Sequence, residues 1–181
     1  MSDADPGQRA SAPPFELFRA RDAVDYTESG PMHLAPMGAV EQQGMAALGQ
    51  AGMNDGSIVK LLYKRPGMSL TYVWFKSGFP LPLHSHNADC LYFIVAGSLD
   101  IGTETLGPGD GFFVGTDVPY SYVPGPEGVE VLEFRSSDNF DYRSRGKSGT
   151  YWDRMLEKLL AARGGWPGET APPSGMTVGS D

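Results

Sequence analysis

An all-β fold, a sandwich or barrel of short strands, is what this sequence predicts, and three observations predict it. Across residues 57–135, short runs rich in β-branched and aromatic residues recur between glycine and proline turns. Glycine and proline are abundant, 24 and 15 of 181 residues, which implies many turns and short strands. No segment of that region is long enough to be the crossover helix that a parallel α/β sheet requires.

Taken in order, residues 1–14 are polar, carry Pro13-Pro14 and read as a flexible tail. Residues 15–56 form an N-terminal arm. From position 30 the arm is rich in Gly, Met, Ala and Gln, and residues 39–48 are expected to form a weak helix that the glycines oppose. Such an arm either packs irregularly over the domain or works as a lid with adaptable methionine contacts. Residues 57–135 are the barrel, with strands expected at 58–63, 69–76, 90–96, 98–102, 111–114, 120–123 and 129–135, and Arg65-Pro66-Gly67 as a turn. Residues 136–163 form a polar linker and then a C-terminal helix. In residues 151–163, Trp152, Met155, Leu156, Leu159 and Leu160 lie at i, i+3, i+4, i+7 and i+8 and make one apolar stripe before Gly164-Gly165. Residues 164–181 are rich in Pro, Gly and Ser and read as a disordered tail.

Composition excludes several classes of function. With 40% apolar and 20% charged residues, this is neither a disordered acidic chain nor a membrane protein. Its longest apolar runs, such as 91–96, fall far short of the ~20 residues of a membrane span. A net charge of −8 argues against nucleic acid as the partner. One cysteine builds no internal disulfide framework, and the acidic start lacks the basic and apolar regions of a signal peptide. The expectation is a soluble, cytoplasmic protein with a small-molecule ligand. Gly146-Lys147-Ser148 is not the end of a phosphate loop, because Asp141 stands where the loop's first glycine belongs.

The chemistry concentrates at His84-Ser85-His86. In a strand, alternate side chains share a face, so both imidazoles point the same way, the beginning of a metal site. The same period of two turns Tyr92 inward with Cys90 and puts Tyr122 on the face of Tyr120. Val131, Glu133 and Arg135 share a face that reads as solvated or as an interface. Asp89 is sent to the face opposite Cys90, and Asp110 reads as a structural turn residue. His33 reaches a metal only if the arm folds over the barrel mouth.

The stretch from Gly78 through His84-Ser85-His86 and Cys90 to Gly97 resembles the first motif of the cupin superfamily, G-x5-H-x-H-x3,4-E-x6-G. Leu106-Gly107-Pro108-Gly109-Asp110, then Val114 and Val118-Pro119-Tyr120, is similar to the second cupin motif. The resemblance covers residues ~57–135 and implies a double-stranded β-helix, the jelly-roll cupin barrel, of the small single-domain bacterial kind. It also implies a divalent metal ion, Fe, Zn, Ni or Cu, held by His84 and His86. Two ligand positions depart from the pattern: Cys90 stands in place of the Glu, and Tyr120 in place of the second-motif His. Cys90 is then either a thiolate ligand or a buried hydrophobe. Tyr120 is a ligand, a pocket hydroxyl acting as acid or base beside Tyr92, or a plain barrel aromatic.

Two functions follow. The first is a metal-dependent cupin enzyme, a dioxygenase-type oxidoreductase, isomerase or lyase, with Tyr120 and Tyr92 as catalytic groups. The second is a metal-free cupin that binds or senses a small metabolite or serves assembly. The resemblance further implies a homodimer, and Leu91, Phe93 and Val95 would give the sheet an apolar outer face to bury in it.

Overall fold

The large sheet grows outward from one long antiparallel hairpin-like core, because the most apolar alternating strands lie next to one another. A computed structural model of the chain describes residues 15–179. The expected tail at 1–14 and the last two residues lie outside them. The strands are β1 (Val24–Asp25), β2 (Met32–Leu34), β3 (Ser57–Arg65), β4 (Met68–Phe75), β5 (His84–Ser85), β6 (Cys90–Ile101), β7 (Glu104–Leu106), β8 (Gly111–Val114), β9 (Val123–Arg135) and β10 (Phe140–Ser144). The large sheet runs β1-β3-β4-β9-β6-β7, with β8 also on β6; the small sheet runs β2-β10-β5. All pairings in the large sheet are antiparallel. The fold is a jelly-roll barrel with a C-terminal helix.

Period two decides what faces inward. Val73, Phe75, Val129, Val131, Tyr92 and Ile94 form the core, while Leu91, Phe93 and Phe134 stay outside. The two strands expected at 90–96 and 98–102 are one, β6, kinked at two register shifts against β9. Gly97 sits at the bend with φ +72°, and a Cβ there would meet the Gly128 carbonyl oxygen at 2.2 Å. The strand expected at 120–123 is absent as a strand. Val123 opens β9, and Tyr120, just after Pro119, makes only an isolated bridge to His84.

Three helices complete the fold: α1 (Tyr26–Ser29), α2 (Ala39–Gln50) and α3 (Gly149–Ala162). The weak helix expected at 39–48 is thus α2, extended by two residues. It docks on α3, with Gly44 so close to the Trp152 ring that a Cβ would lie 2.1 Å from it. Ser148 caps α3, its side chain accepting from the Tyr151 amide; of the predicted stripe Trp152, Met155 and Leu159 are buried, Leu156 is half-buried and Leu160 is exposed.

Two expectations are corrected. The polar linker hides a strand, β10, whose Phe140 and Tyr142 alternate toward the core. Residues 164–179 are not a loose tail: Trp166 is buried against the barrel, donates to the Ser77 carbonyl, and stacks near Phe79. No helix among the described residues is long and apolar enough to cross a membrane.

Candidate functional site

His84 and His86 meet on the inner side of the barrel because three elements clamp their segment. β10 pairs with β5, and Asn87 and Asp141 exchange hydrogen bonds from backbone amide to side-chain oxygen in both directions, at 3.0 and 2.8 Å. From α3, the Tyr151 hydroxyl accepts from the Leu83 amide at 2.6 Å. The Tyr120 bridge holds the other side, with amide-to-carbonyl bonds of 2.9 and 3.2 Å.

The imidazole protons can be assigned from chemistry. His84 Nδ1 lies 2.6 Å from the Pro82 carbonyl oxygen, and His86 Nδ1 lies 2.6 Å from that of Asp141. A carbonyl only accepts, so each Nδ1 carries the proton and each Nε2 keeps a lone pair. Both lone pairs face the Tyr120 hydroxyl, at 2.8 Å from His84 and 3.2 Å from His86. Behind Tyr120, its oxygen and that of Tyr92 are in short contact, and Arg135 Nη2 donates to the Tyr92 oxygen at 3.0 Å. An arginine can only donate, so one consistent direction runs through the chain: Arg135 to Tyr92, Tyr92 to Tyr120, Tyr120 to His84. The Tyr120 proton is then spent, and His86 Nε2 is left as an acceptor.

Burial sets the protonation. Desolvation, then the neighbouring His86, pushes His84 down from the ordinary 6.5 to about 3. Desolvation and the Arg135 charge push His86 down to about 4. Desolvation raises Tyr120 and Tyr92 well above the usual tyrosine value. Arg135 stays charged: burial opposes its charge most, but the touching carboxylate of Glu133 together with Tyr92, Cys90 and Tyr120 more than offsets that. The cluster is therefore neutral overall, with one internal ion pair.

Of these groups His84, His86, Tyr120, Glu133 and Arg135 border a cavity of about 140 Å³. Its apolar wall includes Val59, Val73, Phe75 and Leu81; Tyr26 and Met32 of the arm close one side. The arm therefore contributes to the site. His33 does not. It pairs with Asp141 in the small sheet and lines a separate cleft with Arg143 and Lys147. Glu133 and Arg135 are a correction: expected on a solvated or interface face, they line the cavity, Arg135 only 3% exposed. Tyr142 was missed as well; its signal was the alternation of Phe140 and Tyr142 inside a stretch dense in Ser, Asp and Asn. Asp110 is the turn residue expected, accepting from the Gly107 amide, and Asp89 fixes a loop by accepting from Thr116.

The divalent metal implied by the motif does not fit this donor set. Among the described residues, no group of three or more His, Cys, Asp or Glu side chains is placed to hold a metal ion. Cys90 is on the same inner face, opposite Arg135 in register; without a metal burial pushes its thiol up to about 12, and its Sγ lies 3.8 Å from the Leu91 carbonyl oxygen. The one carboxylate on the cavity, Glu133, is engaged by Arg135, whose charge would oppose a cation. The Tyr120 hydroxyl already stands where the two lone pairs converge.

The jelly-roll topology defines the fold, a largely antiparallel barrel like that of the cupins. No protein-family model matches the chain, and no curated protein matches it. Among solved structures it is similar to the polyketide cyclase RemF from Streptomyces resistomycificus, at 18% identity over 57% of this chain and 84% of that one, TM-score 0.49. It is also similar to KdgF from a Halomonas species, at 22% identity over 45% of this chain and 80% of that one, TM-score 0.43. A salicylate 1,2-dioxygenase from Pseudoaminobacter salicylatoxidans matches at 14% identity over 59% of this chain and 36% of that one, TM-score 0.44. Likenesses this distant carry no argument about chemistry.

Proposed function

We propose that the barrel binds one small, ring-sized molecule and holds it without a resident metal. The observation that carries this reading is the Tyr120 hydroxyl seated between His84 Nε2 and His86 Nε2, with the Glu133–Arg135 pair closing the cluster behind it. Size supports it: a cavity of about 140 Å³ is close to the ~150 Å³ that accepts a benzene ring. Protonation supports binding over catalysis. A general acid or base works best with a pKa near the working pH. Here burial drives the histidines to about 3 and about 4, and the tyrosines up, away from neutrality. The cluster is suited to hold hydrogen bonds and poorly suited to move protons.

A metal-dependent enzyme of dioxygenase type is the second reading, and one observation favours it. Both Nδ1 atoms are tied to backbone carbonyls, the way metal-ligating imidazoles are oriented. Elemental analysis of untagged protein, as purified and after reconstitution with iron, zinc, nickel and copper, separates the two. The first reading expects no stoichiometric metal. Close to one metal per chain, lost in His84→Ala, would sink it and establish the second.

A homodimer through the outer face of the large sheet completes the reading. Leu91 stands beside Phe113 and Phe134 in the strand register, and all three are exposed, as is Phe93. Sedimentation at micromolar concentration is expected to give a dimer that Phe93→Glu dissociates; a wild-type monomer would remove this part.

A further inference from the structure

Three polar atoms belonging to residues of the cavity wall have no hydrogen-bond partner within the described chain: the hydroxyls of Tyr122 and Tyr142, and Nε of Arg135. Their residues are 2%, 8% and 3% exposed. A buried polar group left unpaired is destabilising, so three on residues of one wall call for something that pairs them. All three can donate, and Arg135 Nε can do nothing else. Against them stands one acceptor with capacity to spare, His86 Nε2, whose only polar neighbour on that side is Tyr120, at 3.2 Å. The wall therefore asks for a molecule rich in acceptor oxygens that also carries one donor.

Charge and shape narrow the class further. Arg135 is already neutralised by Glu133, so a ligand carboxylate would have to displace an existing buried ion pair. Aromatic rings bound the space: Phe75 lies against Tyr122, and the His84 ring stacks on Tyr142 at 4.8 Å. Flat walls and a benzene-sized volume select a single planar ring.

Resting on the binding reading above, we infer that the occupant is an uncharged, single-ring hydroxy-carbonyl compound. Its two oxygens accept from the Tyr122 and Tyr142 hydroxyls and Arg135 Nε, and its hydroxyl donates to His86 Nε2. Two tyrosines that the chain itself leaves unpartnered are thereby specificity residues.

The test is calorimetric titration of untagged full-length protein, at pH 6.5, with three probes of equal ring size. 4-Hydroxyacetophenone carries the carbonyl and the hydroxyl and is uncharged; 4-hydroxybenzoate carries a carboxylate instead; toluene carries no polar atom. 4-Hydroxyacetophenone is expected to bind at least about tenfold more tightly than either of the others, the worth of one or two satisfied hydrogen bonds. Tyr122→Phe and Tyr142→Phe are each expected to weaken its binding about three- to tenfold and to leave toluene unchanged. Binding of toluene or 4-hydroxybenzoate as tight as 4-hydroxyacetophenone would overturn the inferred class while leaving a ring-binding barrel. Failure of all three probes with protein shown to be folded by circular dichroism would overturn the binding reading with it. Equal loss of toluene binding in the tyrosine variants would mark those residues as structural and overturn their role in specificity.

Discussion

Strand β9 buries a carboxylate on each of its two faces, and the two are finished differently. Glu130, on the outer face, is fully buried beneath the C-terminal segment. One oxygen accepts from the Tyr72 hydroxyl at 2.6 Å and from Ser174 Oγ at 2.8 Å; the other accepts from the Ser174 amide at 2.6 Å. Glu133, on the inner face, has Arg135 as its partner, and around that pair Arg135 Nε and the hydroxyls of Tyr122 and Tyr142 remain unpaired. At Glu130 itself the Tyr72 and Ser174 donors are all matched, so the carboxylate serves to fasten residues 169–179 to the sheet, and among the described residues the one buried donor left unpaired beside it is Trp74 Nε1. The inner cluster holds donors in excess beside an open volume. Within one strand, complete hydrogen bonding marks attachment and surplus capacity marks a site.

The largest effect that sharpens this contrast is loss of the inner cation. Arg135→Met leaves the half-buried Glu133 unpaired, which costs up to about 3 kcal/mol of folding stability. The double variant with Glu133→Gln is expected to recover most of that in urea unfolding, since no lone charge is then buried. Additive losses in the double variant would mean that the two residues are not a coupled pair. Next in size is the outer face. Tyr72→Phe removes a hydrogen bond to a carboxylate, worth about 2 kcal/mol, and is expected to leave cavity binding unchanged because Tyr72 faces away from it. A change in 4-hydroxyacetophenone affinity equal to that of Tyr122→Phe would erase the distinction between the faces.

The parts of this contrast that sequence made legible are those that period two controls. His84, His86, Tyr92, Tyr120 and Tyr122 were assigned inward by alternation and by motif, and the structure gathers four of them into one cluster, with Tyr122 on the same cavity. The Glu133–Arg135 pair was placed on the right strand and together, yet read as solvated. Alternation says which residues share a face; only the register against β6, which sets Cys90 opposite Arg135 and Tyr92 opposite Glu133, says that the face is inward. Tyr142 and the Glu130–Ser174 attachment depend on contacts between distant segments, 44 residues apart in the second case. Low local apolar density hid both. Three anchors, Trp166, Glu169 on Ser77 and Ser174 on Glu130, override the Pro/Gly/Ser composition of residues 164–179, which composition alone reads as loose chain.

The pH dependence isolates the inner cluster, because it holds both buried histidines. Their folded-state values, about 3 and about 4, lie below the ordinary 6.5. Between roughly pH 6.5 and 4 the unfolded chain therefore binds protons that the folded chain refuses, and stability falls as pH falls through that window. Each histidine contributes a slope of about 1.4 kcal/mol per pH unit. Urea unfolding at pH 7, 6 and 5 is expected to show a shallower slope in His84→Gln than in the wild type, by about one histidine's worth. Equal slopes would mean that His84 is not held neutral by its surroundings.

The smallest effect is the most diagnostic, because it reverses sign between the faces. Tyr122→Phe makes the same chemical change as Tyr72→Phe, the loss of one phenolic oxygen from a buried ring. Tyr72 gives up a bond to a carboxylate. Tyr122 gives up a hydroxyl that the chain itself never pairs, so its removal withdraws a desolvation cost and breaks no internal bond. Without ligand, Tyr122→Phe is expected to match the wild type or exceed it by up to about 1 kcal/mol in urea unfolding, while binding weakens. A residue that costs stability in the empty protein and gains affinity in the occupied one is held for its ligand. Destabilisation by Tyr122→Phe as large as that of Tyr72→Phe would show that the hydroxyl has an internal structural partner, and the excess of donors that separates the inner face from the outer would be gone.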